Sequence, residues 1–376
     1  MDKKFFMGIA AMAALTLVSC SSDDLDSFSD NSSKNEAISF DGYLGRSAVA
    51  VNGSRGGVET ANTLQTNGFG VFGTYTPTDG QASNLFDNQK VTYSTTESKW
   101  TYSPLKFWPA NGKIDFLAYA PYNYDGTNTT LTGGSKINNF TVSGTIADQT
   151  DLLWTNATSS ISADLTSAKE KVNFQFHHAL SRLGYTVKLT GDYSSDNVTF
   201  TLKKITLAGS PTDAETGAFY TSGTIDLSMP TGNANLWSNQ TGKQKFDWFS
   251  GDYQVKSSTA SHPDEPNKDK DYLFVIPQNF SEKIGGTENP DKLYVIVEYD
   301  VTYKSDIPST TIKNKVYKQL TTNFLQGMAY NLNLTIGLPI EFDVDVTSGG
   351  VDAGVDGWGT DEGINIGSND NPWDRK

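Results

Sequence analysis

From about residue 37 onward, apolar and polar side chains alternate with a period of two, the pattern of strands that bury one face. Val172, Phe174, Phe176 and His178 alternate with Asn173, Gln175 and His177. Leu293, Val295, Val297, Tyr299, Val301 and Tyr303 alternate with Tyr294, Ile296, Glu298, Asp300 and Thr302, and Tyr330, Leu332, Leu334 and Ile336 with Asn331, Asn333 and Thr335. Few stretches carry the 3.6-residue period of an amphipathic helix. Strands with one wet face must pack sheet on sheet to bury the other, so the expected fold is all-β, built of antiparallel β-sandwiches. Turn signals at Asn111-Gly112, Asp125-Gly126 and Gly133-Gly134 punctuate the strands at the expected intervals. A polar break from Gly191 to Asp196 predicts a boundary near residue 193, dividing the chain into domains 37–193 and 194–346. Ser257 to Asp271 reads as a long loop, and residues 347–376 as a Gly/Asp-rich tail with an extra short strand at Ile364-Asn365-Ile366.

Composition agrees with β structure. Of 376 residues, 36% are hydrophobic, 12% aromatic and only 19% charged, too apolar for a disordered chain and rich in strand formers. A net charge of −14 without a Lys/Arg stripe lacks the electrostatic footprint for phosphates, which argues against a nucleic-acid partner. One cysteine excludes an intrachain disulfide framework, and three histidines leave little for a Cys/His metal centre.

That cysteine sits at a telling place. Lys3 and Lys4 precede an apolar run from Phe5 to Val18, the length of a signal-peptide core and too short to span a bilayer. The run ends in Leu17-Val18-Ser19-Cys20, which resembles the lipobox of bacterial lipoproteins. The resemblance implies a signal peptide at 1–19, cleavage before Cys20, acylation of its thiol (palmitate among the acyl chains) and anchoring in the outer membrane. Residues 20–36 read as a solvated tether. Its acidic start, Ser21-Ser22-Asp23-Asp24-Leu25-Asp26, resembles the surface-export signal of Bacteroidetes lipoproteins.

Catalytic constellations are not found. The chain lacks HExxH, GxSxG and P-loop motifs, and has no GxGxxG between a strand and a helix, so no catalytic residue and no cofactor is assigned. Adjacent His177 and His178 would point to opposite faces of a strand and could not share a metal. Asp343, Asp345, Asp352 and Asp356 lack the Gly and Glu positions of an EF-hand loop, so no metal ligand is assigned either. No acidic pair has the context of a glycosidase. Trp100, Tyr102, Phe107 and Trp108, the densest aromatic group, are expected in the core of the first domain rather than in a ligand platform.

Several segments in order resemble the fimbrillin family, subunits of type V pili and related surface lipoproteins of Bacteroidales. They are the lipobox, ISFDGYL (38–44) with an Arg-containing segment after it, NGFGVFGTY (67–75), KFWPANGKIDFLAYAPY (106–122), DLLWTNA (151–157), VNFQFHHALSRLGYTV (172–187), YLFVIPQNF (272–280) and GMAYNLNLTIGL (327–338). The resemblance implies two tandem transthyretin-like antiparallel β-sandwich domains and no enzymatic activity. It also implies assembly in which an arginine-specific protease removes the N-terminal strand and a neighbour's C-terminal strand fills the groove, a case of β-strand addition. Of the four arginines, Arg46 and Arg55 follow the first strand among small residues, and either is a processing site; the others are Arg182 and Arg375.

The expected displaced strand carries Ile38, Phe40 and Leu44, and the expected donor strand Ile340, Phe342, Val344 and Val346; the two share Ile, Phe and Asp in register. Burying the four donor side chains would contribute roughly 6 to 12 kcal/mol before ordering costs. The expected protein is therefore a stalk-type subunit of a cell-surface fimbria, with adhesion as a further role. Its partners would be other fimbrial subunits in a homo- or hetero-polymer, the outer membrane through the lipid anchor, and a host protein or glycan. The alternative is a surface lipoprotein that does not polymerise and binds host ligands or glycans while keeping its N-terminal strand.

Overall fold

The computed structural model describes residues 36–44, 58–161, 171–231, 235–265, 271–305, 308–338 and 340–348. In chain order the first elements are β1 (Phe40–Leu44), α1 (Ala61–Asn67), β2 (Phe69–Thr76), β3 (Ser83–Ser94), β4 (Lys99–Thr101), β5 (Gly112–Ala120), β6 (Lys136–Thr141), β7 (Leu153–Ile161) and β8 (Val172–His178). There follow β9 (Ser181–Leu189), β10 (Val198–Ala208), β11 (Ser222–Asp226), β12 (Trp237–Thr241), β13 (Phe246–Val255), β14 (Leu273–Val275) and β15 (Gln278–Asn279). The last are β16 (Lys283–Ile284), β17 (Thr287–Glu288), β18 (Leu293–Tyr303), β19 (Thr310–Leu320), β20 (Asn323–Phe324), β21 (Ala329–Gly337) and β22 (Glu341–Ser348). The fold is all-β, as the alternation predicts. In β8, Val172, Phe174, Phe176 and His178 are buried while Asn173 and Gln175 are exposed, and β18 and β21 bury their apolar set in the same way.

Seven strands form the first sheet in the order β1-β8-β7-β5-β2-β3-β4. Its outermost strands, β1 and β4, lie against each other, so the sheet is rolled until its two edges meet. Inside the roll is a core of Phe40, Phe69, Phe86, Trp100, Phe116, Phe174 and Phe176 with aliphatic neighbours. The other face of the central strands belongs to a second, larger core, where Phe72 of β2, Tyr119 of β5 and Trp154 of β7 join side chains of the later sheets. Strands β2, β5 and β7 are therefore buried on both faces along part of their length, at Phe69–Gly73, Ala118–Ala120 and Leu153–Thr155.

The larger core is enclosed by sheets ordered β13-β10-β18-β19, β14-β9-β21-β22 and β12-β11-β6. The chain passes from the sheet of β9 to that of β10 across residue 193, and β6 and β9, both N-terminal to it, pair with β11 and with β14 and β21. It leaves the seven-stranded sheet for β6 between β5 and β7, and leaves it again at Ala179–Leu180, after β8. Two pairings are parallel, β1 on β8 and β21 on β9, so the sheets are mixed rather than purely antiparallel. No helix among the described residues is long and apolar enough to cross a membrane.

Candidate functional site: the first strand and its groove

Ile38-Ser39-Phe40-Asp41-Gly42-Tyr43-Leu44 forms a strand because alternate residues face the core of the rolled sheet. Ile38, Phe40 and Leu44 are 1%, 2% and 7% exposed, while Tyr43 is 49% exposed. Phe40 is the centre of the contact: its ring lies 5.3 to 5.7 Å from those of Phe86, Tyr102, Phe116 and Phe174. Such aromatic packing adds to the burial itself, which for these three side chains amounts to roughly 5 to 9 kcal/mol.

The backbone of this segment is held from two sides. Residues 40–44 run parallel to β8, with Phe40 opposite Val172 and Leu44 opposite Phe176. Just upstream, Ala37 forms an antiparallel bridge with Phe107; Ile38 donates its N–H to the Lys106 carbonyl at 2.8 Å and Trp108 donates to that of Glu36 at 3.0 Å. The Tyr102 hydroxyl donates to the Ile38 carbonyl at 2.7 Å. On the outer face Lys171 lies 3.6 Å from Asp41. Residues 36–44 thus close the roll, bridging β8 on one side and the 106–108 segment on the other.

After Leu44 the chain leaves the described residues and returns at Val58; Arg46 and Arg55, and the lipidation candidate Cys20, lie outside them. Its return is anchored by an acidic cluster. Glu59 N–H donates to Asp151 Oδ2 at 2.9 Å, and Asp151 Oδ1 lies 2.9 Å from His178 Nδ1 at the end of β8. The Glu59 carboxylate accepts from Thr63 Oγ1 and Asn67 Nδ2, both at 2.8 Å, and Thr60 caps α1. Burial pushes the Glu59 carboxyl up to about 7, with the neighbouring Asp151 charge acting in the same direction and the hydrogen bonds from Thr63 and Asn67 against it. Sequence reading missed this cluster because residues 59, 151 and 178 are brought together only by the sheet. The one legible part, that His177 and His178 face opposite ways, is seen in a half-buried His177 and a buried His178.

The other arginine within the described residues is not open to a protease. Arg182 lies in β9, paired on both sides, is 4% exposed and stacks 4.4 Å from the Tyr272 ring.

The C-terminal candidate strand is β22, an antiparallel partner of β21 with Phe342 opposite Ile336, Val344 opposite Leu334 and Val346 opposite Leu332. Val344 and Val346 are buried at 3% and 1%, Phe342 is half-buried and Ile340 is 53% exposed. Lys318 of β19 donates to the Val344 carbonyl at 3.1 Å and pairs with Asp343. The displaced-strand and donor-strand candidates are therefore not brought together within one chain: β1 closes the first core and β22 the second.

Of the expected aromatic core group, Trp100, Tyr102 and Trp108 pack in the first core, whereas Phe107 is 48% exposed. Asp352 and Asp356 lie outside the described residues, and among those described no three His, Cys, Asp or Glu side chains gather as a metal site.

The fold defines an all-β protein of packed sheets, one of them rolled and closed by its first described strand. More narrowly, the chain belongs to the fimbrillin-like family, whose family model matches residues 58–353. A fimbrial protein from Bacteroides vulgatus shares its fold, with a TM-score of 0.60, 21% identity, and coverage of 84% of this chain and 99% of that one. A putative cell adhesion protein from Bacteroides uniformis (TM-score 0.43, 16% identity, 83% and 98% covered) and a fimbrial assembly protein from Parabacteroides distasonis (0.34, 10%, 76% and 89%) are more distant. No curated protein matches the sequence.

Proposed function

We propose that the protein is a structural subunit of a cell-surface fimbria, carried to the outer membrane as a lipoprotein acylated at Cys20 and activated by cleavage after Arg46 or Arg55. Cleavage there severs β1 from the rest of the fold, and the site it vacates between β8 and the 106–108 segment takes a strand from a neighbouring subunit. Family membership supports the fimbrial role. The single observation that carries the strand replacement is the position of residues 36–44, which close the roll from both sides while joining the remainder only through the arginine-bearing stretch 45–57.

The surface supports the same reading. Four of the seven large apolar side chains exposed among the described residues sit on or beside the two terminal strands: Tyr43, Leu105 and Phe107 around β1, and Ile340 just before β22. A monomer gains nothing from exposing them there, whereas an assembly formed at its strand ends would cover them.

The experiment is to treat residues 20–376 with an arginine-specific protease and add an excess of a labelled peptide with the sequence of Glu36 to Leu44. The expected result is a new N-terminus at Ser47 or Gly56, an uncut Arg182, and incorporation of the peptide. A stretch 45–57 that resists cleavage, or a cleaved protein that takes up no peptide, contradicts the proposal.

A further inference from the structure

Resting on that reading, we infer that the vacated site selects a strand with an aromatic residue followed two positions later by glycine, and that β22 of another copy of this chain is excluded. The inward positions of β1 are Ile38, Phe40, Gly42 and Leu44. At Gly42 there is no room for a side chain: an added Cβ would stand 2.9 Å from Phe69 Cε1 and 3.3 Å from Phe176 Cε2. Neither ring is free to withdraw. Phe69 is fully buried and packs on Trp100 at 4.8 Å, on Phe176 at 5.3 Å and on Phe174 at 5.9 Å. In a close-packed interior such a neighbour yields only with strain in the rings behind it.

The C-terminal strand matches three of the four inward positions and fails at this one. With Ile340 in the place of Ile38 and Phe342 in that of Phe40, Val346 falls at Leu44, and Val344, branched at Cβ, falls at Gly42. Reversing its direction puts Phe342 there instead. Turning it over brings Glu341, Asp343 and Asp345 into an apolar core. Sliding it until Ser348 reaches the glycine position leaves Val346 in the space that Phe40 fills between four rings. At home, Val344 and Val346 already complete the second core on β21. A run of identical copies joined through β22 is therefore excluded.

The test uses residues 20–376 cleaved in the 45–57 stretch and four labelled peptides: residues 36–44, the same with Gly42→Val, residues 338–348, and the same with Val344→Gly. The first and last should bind, and each valine peptide should bind about tenfold more weakly than its glycine counterpart. Equal binding of the 338–348 peptide and its Val344→Gly form overturns the inference and leaves strand replacement standing, with a second copy's C-terminal strand as the occupant. No binding by the 36–44 peptide overturns strand replacement itself. In the uncut protein, Gly42→Val should lower the melting temperature while Asp41→Val, facing outward, leaves it nearly unchanged; equal melting of the two also overturns the inference.

Discussion

The two terminal strands look alike in sequence and differ in what they do for the fold. β1 lies parallel on β8, closes a rolled sheet, and buries a phenylalanine among four aromatic rings. β22 lies antiparallel on β21, leaves Ile340 exposed and Phe342 half-buried, and has its outer edge partly covered by Lys318. The difference shows that an Ile-x-Phe-Asp pattern specifies a half-buried strand but neither its direction nor its partner. Those are set by the groove, and in β1 by the absence of a side chain at Gly42.

The comparison breaks most visibly at the two phenylalanines. Phe40→Ala should cost about 3 to 5 kcal/mol in denaturant unfolding, since it opens a cavity in a core that cannot collapse around it. Phe342→Ala, at a half-buried edge position, should cost about 1 kcal/mol. Similar losses at the two sites would mean that β1 is no more integral than β22.

The next effect concerns the chain's return at Glu59 and depends on pH. The Glu59 carboxyl titrates near 7 in the folded protein and near 4.5 when unfolded. Between these values the unfolded chain has lost a proton that the folded chain retains, so stability falls as pH rises through that window and levels off above it. Glu59→Gln, which removes the titration, should be more stable than the parent by about 1 to 3 kcal/mol at pH 8 and close to it at pH 4.5. Urea midpoints at the two pH values check this, and a pH-independent difference would contradict it. The smallest effect is expected at β22, where Lys318→Ala removes a hydrogen bond and a partly exposed ion pair and should cost about 1 kcal/mol or less by thermal melting.

Much of this was legible beforehand, for reasons that particular residues make plain. β8, β18 and β21 could be read because each has one wet face, so Asn173, Glu298 and Asn333 mark the register. β2 is a wall shared by two cores, buried on both faces from Phe69 to Gly73, and carries no such marker. The parallel pairing of β1 is invisible in a sequence, as is the traffic of β6 and β9 into the sheets of the second half, because side-chain alternation says nothing about which strand lies alongside. The Glu59, Asp151 and His178 cluster joins positions up to 119 residues apart, and no spacing rule reaches that far. Phe107 was expected in the core with its aromatic neighbours; it faces outward because Ala37 pairs with it along the backbone and the side chain is left on the solvent side.

The role assigned to β1 is tested most directly by sequencing the N-terminus of the protein recovered from assembled fimbriae on intact cells. A start at Ser47 or Gly56, with residues 36–44 gone, is the predicted result. A start at Cys20, with the acyl group and β1 retained in the fibre, would contradict it.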